Sequence, residues 1–216
     1  MLLDTKNNMT PFDKLALFGV QNFNLKIAFK DESIFMKILG KLLFFNTSFM
    51  TTYITTIGST VYFPSSKWLN ENKDAAAATL AHELVHIYDS KISFKPWFSV
   101  GYLAPQLFAI FALFAIPFSI WNLLFLLWLL PIPSDSRTFL ELRGYAMSDA
   151  VQLKTTGAFL EWNFIMKQFT SSAYYWMWPF KSSIMDDVSK NRALIWQNRL
   201  DEIIPISKDI LKCFDA

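Results

Sequence analysis

The chain contains only two histidines, and they fall four residues apart around a glutamate, in Thr79-Leu80-Ala81-His82-Glu83-Leu84-Val85-His86-Ile87-Tyr88. On an α-helix this spacing stacks His82 and His86 on one face, a turn apart. Two imidazoles so placed can share one divalent ion, with Glu83 beside them as a proton acceptor. A catalytic zinc takes three protein ligands and keeps a position for water, whose proton a neighbouring carboxylate removes. With no third histidine in the chain, the remaining donor must be a carboxylate. Two imidazoles and a carboxylate suit Zn2+ well.

The flanking sequence has to build the helix that carries these groups. Asp74-Ala75-Ala76-Ala77-Ala78-Thr79-Leu80-Ala81 is a strong helix former, with Asp74 placed as an N-cap. Leu80, Ala81, Leu84, Val85 and Ile87 are apolar, as a buried metal helix requires, and a lone Glu83 among them is costly to bury without a partner. Upstream, Thr56-Ile57-Gly58-Ser59-Thr60-Val61-Tyr62-Phe63 is rich in β-formers and stops at Pro64, so a short strand region precedes the helix, with Gly58 as a bulge or hairpin turn. For the third ligand, Glu141 lies in an apolar-flanked segment that Asp135 or Ser136 can cap, and Gly144 lets another helix approach. Asp149 is the rival ligand. Asp89 is either an acceptor behind a ligand imidazole or a solvated charge, and Tyr145 and Asp149 can also serve as acceptors there. Tyr145, Tyr174 and Tyr175 are of a residue type able to stabilise an oxyanion.

These stretches resemble the zincin metallopeptidases. The extended HExxH consensus of that group has Val or Thr three residues before the first histidine and uncharged neighbours; Thr79, Leu80, Ala81, Leu84, Val85, Ile87 and Tyr88 comply. Another common zincin pattern would put Gly and a third His where Asp89 and Ile92 stand. Glu141, with Gly144 three residues on, is instead similar to the gluzincin branch. The resemblance implies a zinc peptidase with an α+β, mostly helical, zincin-like core. His82, His86 and Glu141 would be ligands and Glu83 the general base, and an extended peptide or protein substrate would pair with the strand at 55–63. A hydrophobic stretch between the two motifs looks like that of integral membrane peptidases of the CAAX-prenyl-protease and heat-shock type. In those an Asp four residues after the Glu holds a ligand histidine, and Tyr145 occupies that place here. Compact gluzincins of phages or mobile elements, with Glu-x-x-small-Tyr, compare equally well.

Composition adds a second theme. Of 216 residues 53% are hydrophobic and 18% charged, against roughly 25% charged in ordinary globular proteins, with 22 Phe and 8 Trp. This is the composition of a membrane-associated chain or of a subunit buried in an assembly. A net charge of +2 gives no argument for nucleic acid. Cys213 stands alone, so no internal disulfide forms, and the first residues hold no apolar run long enough for a secretory signal. No residue between Lys95 and Asp135 is charged. At ~1.5 Å per residue these roughly 39 residues make about 58 Å of helix, close to two crossings of a ~30 Å hydrocarbon core. Ligands on both sides of the stretch must end on one side of a membrane. The segment is therefore a tight transmembrane hairpin bending near Pro117 or Asn122, or a re-entrant or interfacial one, or an arm, 97–131, buried against an assembly partner. Lys91, Lys95, Arg137 and Arg143 at its ends place the catalytic side in the cytoplasm of a membrane-associated protein.

The expected organisation is thus 1–95 as the first part of the core with the HExxH helix, 96–134 as the hydrophobic insert, and 135–216 as the helical remainder with the third ligand. Two N-terminal apolar faces, Phe12, Leu15, Phe18 and Val20, then Ile34, Phe35, Ile38, Leu39, Leu42 and Leu43, read as core. Residues 158–178 read as an aromatic helix, 183–203 as a surface helix, with a short last helix beyond Pro205. The alternative to a membrane peptidase is a non-catalytic assembly protein whose zinc only staples two helices.

Overall fold

A computed structural model describes residues 9–43, 48–92, 98, 100–102, 119, 121, 124, 127, 132–171 and 177–215. The chain is mostly helical with one small three-stranded sheet, and it divides into two compact units, Met1–Tyr88 with Pro205–Ala216, and Asp89–Ile204.

In the first unit, helix α1 (Pro11–Phe23) opens on a capping box. Thr10 accepts from the Asp13 N–H while the Asp13 carboxylate accepts from Thr10, and Pro11 takes the first helical position. Phe12 and Leu15 are buried as expected, but Val20 is exposed. Strand β1 (Lys26–Phe29) follows, an element that the sequence alone does not single out. It is legible only through its partner, since it pairs in parallel with β3 (Thr60–Phe63), a contact between distant stretches of chain. Between them come α2 (Ile34–Leu42) and β2 (Thr55–Ile57). Gly58, at φ 62, makes the β2–β3 hairpin turn, a left-handed position of the kind that tight hairpins require. The strand order is β1-β3-β2, so the centre of the strand region is already paired on both sides, and among the described residues only β2 offers a free edge within 55–63. Val61 and Phe63 are buried, with Phe63 edge-on to Phe12 at 5.7 Å and stacked on Trp68 at 6.2 Å.

A short helix α3 (Ser66–Glu71), capped by Ser65, leads into α4 (Lys73–Ile92). Asp74 is not the cap; it is exposed in the first turn, one residue inside the helix. Helix α4 is buried on most sides through its middle. Ala76, Ala77, Leu80, Ala81, Leu84, Val85 and Ile87 are all buried, the pattern of a central helix. Gly19 of α1 helps seat it: a Cβ there would lie 2.6 Å from Leu25 Cδ2 and 3.0 Å from Leu84 Cδ2.

In the second unit, α5 (Asp135–Thr156) starts at Ser134, whose side chain accepts from the Arg137 N–H. The cap is thus one residue earlier than Asp135 or Ser136. Gly157, at φ 78, ends the helix. Helix α6 is Trp162–Thr170, shorter than the aromatic helix expected over 158–178, and α7 is Lys181–Trp196. Leu142 and Tyr145 pack with Ile165, Phe169, Met177, Ile184 and Val188 in the core of this unit. Asp149 and Arg192 form a buried ion pair, Nε to Oδ2 at 2.8 Å, and Arg192 lies over the rings of Trp162 and Phe159.

Most of the uncharged stretch 96–134, and with it the expected hairpin, lies outside the described residues. Among the described residues, no helix is long and apolar enough to cross a membrane.

Candidate metal centre

His82 and His86 lie one turn apart on α4 and both are buried. Their Nε2 atoms are 3.0 Å apart. Two nitrogens held tetrahedrally on one ion at about 2.0–2.1 Å would be separated by roughly 3.3 Å, so the rings already converge nearly as an ion demands. Glu141 of α5 is 1% exposed. A carboxylate this deeply buried is costly unless charge compensates it, as a divalent cation would. The donor set fits a metal.

Glu83, the next residue on α4, is half-buried rather than sealed in. Its charge acts on Lys30, the residue after β1, which is wholly buried. The Lys30 ammonium donates to Phe49 O at 2.6 Å and to Tyr53 O at 2.8 Å, and sits 4.0 Å from the centre of the Phe49 ring. Burial pushes Lys30 down to about 8, and the negative charge of Glu83 works in the opposite direction. The sequence reading missed Lys30, because nothing in Phe29-Lys30-Asp31 distinguishes it from a surface lysine.

Tyr102 was missed as well. Its hydroxyl donates to Glu141 Oε1 at 2.5 Å. Its ring stacks on Phe98, with the Arg137 guanidinium 5.2 Å from its centre. The separation of 39 residues hid this contact.

The other candidates have defined places. Asp89 is not a solvated charge: it is buried and bound by Arg143 through two hydrogen bonds, Nε to Oδ2 at 2.9 Å and Nη2 to Oδ1 at 2.7 Å. Burial pushes its carboxyl up, while the hydrogen bond and charge of Arg143 draw it down; the upward effect is the larger. Arg143 also donates to the Ile203 carbonyl, so it faces inward. Asp149, the rival ligand, is bound by Arg192 and accepts from the Leu160 N–H at 2.9 Å, so its carboxylate is already engaged inside the second unit. Tyr145 lies edge-on to Phe164 and tilted against Phe169. Tyr174 and Tyr175 lie outside the described residues.

Comparison of the chain with protein-family models, with curated proteins and with solved structures finds no match.

Proposed function

We propose that the protein is a zinc-dependent peptidase, hydrolysing peptide bonds at or near a membrane. The observation that carries this reading is the pair of buried imidazoles on α4, with Nε2 atoms 3.0 Å apart, next to a half-buried Glu83. His82, His86 and Glu141 would hold the ion. When bound, zinc polarises a carbonyl and lowers the pKa of a water toward ~7. Glu83 takes a proton from the attacking water and returns it to the leaving amine, so that one C–O bond forms as one C–N bond breaks. Tyr102 keeps the Glu141 carboxylate turned to its place. An extended substrate would pair with the free edge of β2, Thr55–Ile57.

The test combines metal content by mass spectrometry with peptide cleavage. Wild type should carry about one zinc per chain, the number a single His-His-Glu site holds. Glu141→Ala should lose it and Asp149→Ala should keep it. Glu83→Gln should keep zinc and lose turnover. Undiminished cleavage by Glu83→Gln would overturn the mechanism, and a wild type that takes up no metal would overturn the site.

A further inference from the structure

Helix α2 is turned the opposite way from a solvent-facing helix. Its sequence face Ile34, Phe35, Ile38 and Leu42 reads as core, yet these side chains are 76%, 56%, 55% and 68% exposed. The buried residue is Met36, and Gly40 lies on the same inner side, where a Cβ would stand 2.8 Å from Met50 Sδ. At 100° per residue, Ile34, Ile38 and Leu42 lie opposite Met36 and Gly40, so the apolar stripe points straight outward. Lys37 and Lys41, both exposed, run along one margin of this stripe. They are the only charged residues of the helix; the exposed acids Asp31 and Glu32 sit before its N-cap, Ser33.

We propose that this stripe of α2 seats on the surface of a lipid bilayer containing anionic phospholipid. The apolar side chains enter the headgroup–acyl boundary and Lys37 and Lys41 meet lipid phosphates and carboxylates. An amphipathic helix with lysines at the edge of its apolar face suits that boundary. A second copy of the chain suits it less well: four side chains on a nine-residue helix fall far short of the roughly 800 Å² per partner of a stable protein interface. A bilayer covers a stripe of any length, and its negative surface complements the two lysines. The proposal concerns a face of the first unit alone and stands whether or not the chain is a peptidase.

The test uses the full chain with Cys213→Ser, which removes the only cysteine. A polarity-sensitive fluorophore is attached at Ile38→Cys or, as a control, at Glu71→Cys on exposed α3. Vesicles of phosphatidylcholine with phosphatidylserine should shift emission to the blue at position 38 and leave position 71 unchanged. Pure phosphatidylcholine should give a smaller shift. Lys37→Glu with Lys41→Glu should lose most of the shift, and raised salt on the unaltered lysines, which requires no second folded variant, should reduce it to the pure phosphatidylcholine level. No shift at position 38 on either vesicle overturns the proposal. Blue emission without vesicles that grows with protein concentration assigns the face to a second copy. Blue emission independent of both assigns it to another part of the same chain. Either of these results also overturns it.

Discussion

At the scale of single residues, two groups outside the HExxH motif interact with candidate site residues, Tyr102 with Glu141 and Lys30 with Glu83. The Tyr102 hydroxyl holds one oxygen of Glu141, and groups that orient a metal ligand typically matter 10–100-fold for affinity. Tyr102→Phe should weaken zinc binding by about that factor in a competition titration while leaving the helices intact. Unchanged affinity would make the contact incidental. Lys30 sets a pH dependence whose sign can be worked out. Unfolded, its ammonium titrates at the ordinary 10.5; folded, at about 8. Between those values the unfolded chain holds a proton that the folded chain has released, so stability rises with pH across that window. Below it both states are protonated and the full cost of burying the charge is present. The urea midpoint of wild type should therefore gain between about pH 8 and about pH 10 relative to Lys30→Met. Lys30→Met should itself be less stable, because it leaves the Phe49 and Tyr53 carbonyls without their donor. Parallel curves for the two proteins would show that Lys30 stays charged throughout.

At the scale of elements, what was legible from sequence depended on how local the determining physics is. The HExxH helix was legible because its spacing, its alanine run and its apolar flanks all lie within one stretch, and the Glu141 helix because its apolar flanks and cap residues are local too. Strand β1 was not, because Lys26-Ile27-Ala28-Phe29 becomes a strand only by pairing with Thr60–Phe63. For α2 the periodicity identified an apolar face correctly but carried no information on what covers it, and the face proved to point outward. The caps were off by a residue or more, since Ser, Thr and Asp near a helix start compete closely for the role. The end of α5 is a cleaner case. Gly157 sits at φ 78 and has nothing within 4 Å of where a Cβ would be. Gly157→Ala therefore changes only backbone preference and should cost about 1 kcal/mol in chemical denaturation. Gly157→Asn should cost less, because asparagine tolerates the left-handed region. Equal stability of all three would mean the helix end relaxes to another conformation.

At the scale of the whole molecule, the candidate ligands come from two helices far apart in sequence, α4 and α5, so a metal bound by all three is also a folding constraint. A ligand that binds only the folded chain stabilises it in proportion to the logarithm of its concentration over Kd, about 4 kcal/mol at a thousandfold excess. For a chain of this size that is a shift in melting temperature on the order of 10 °C. Chelation should lower the wild-type Tm by such an amount, and re-addition of zinc should restore it. The informative quantity is the difference with and without chelator in each variant, because any core substitution can lower Tm by itself. That difference should survive in Glu83→Gln, which keeps every ligand, and vanish in His86→Ala and in Glu141→Ala. A difference that persists in Glu141→Ala would mean that the two histidines hold the ion without α5. The imidazole pair of α4 would then be a metal site local to one helix, and the case for a three-ligand catalytic zinc would fail with it.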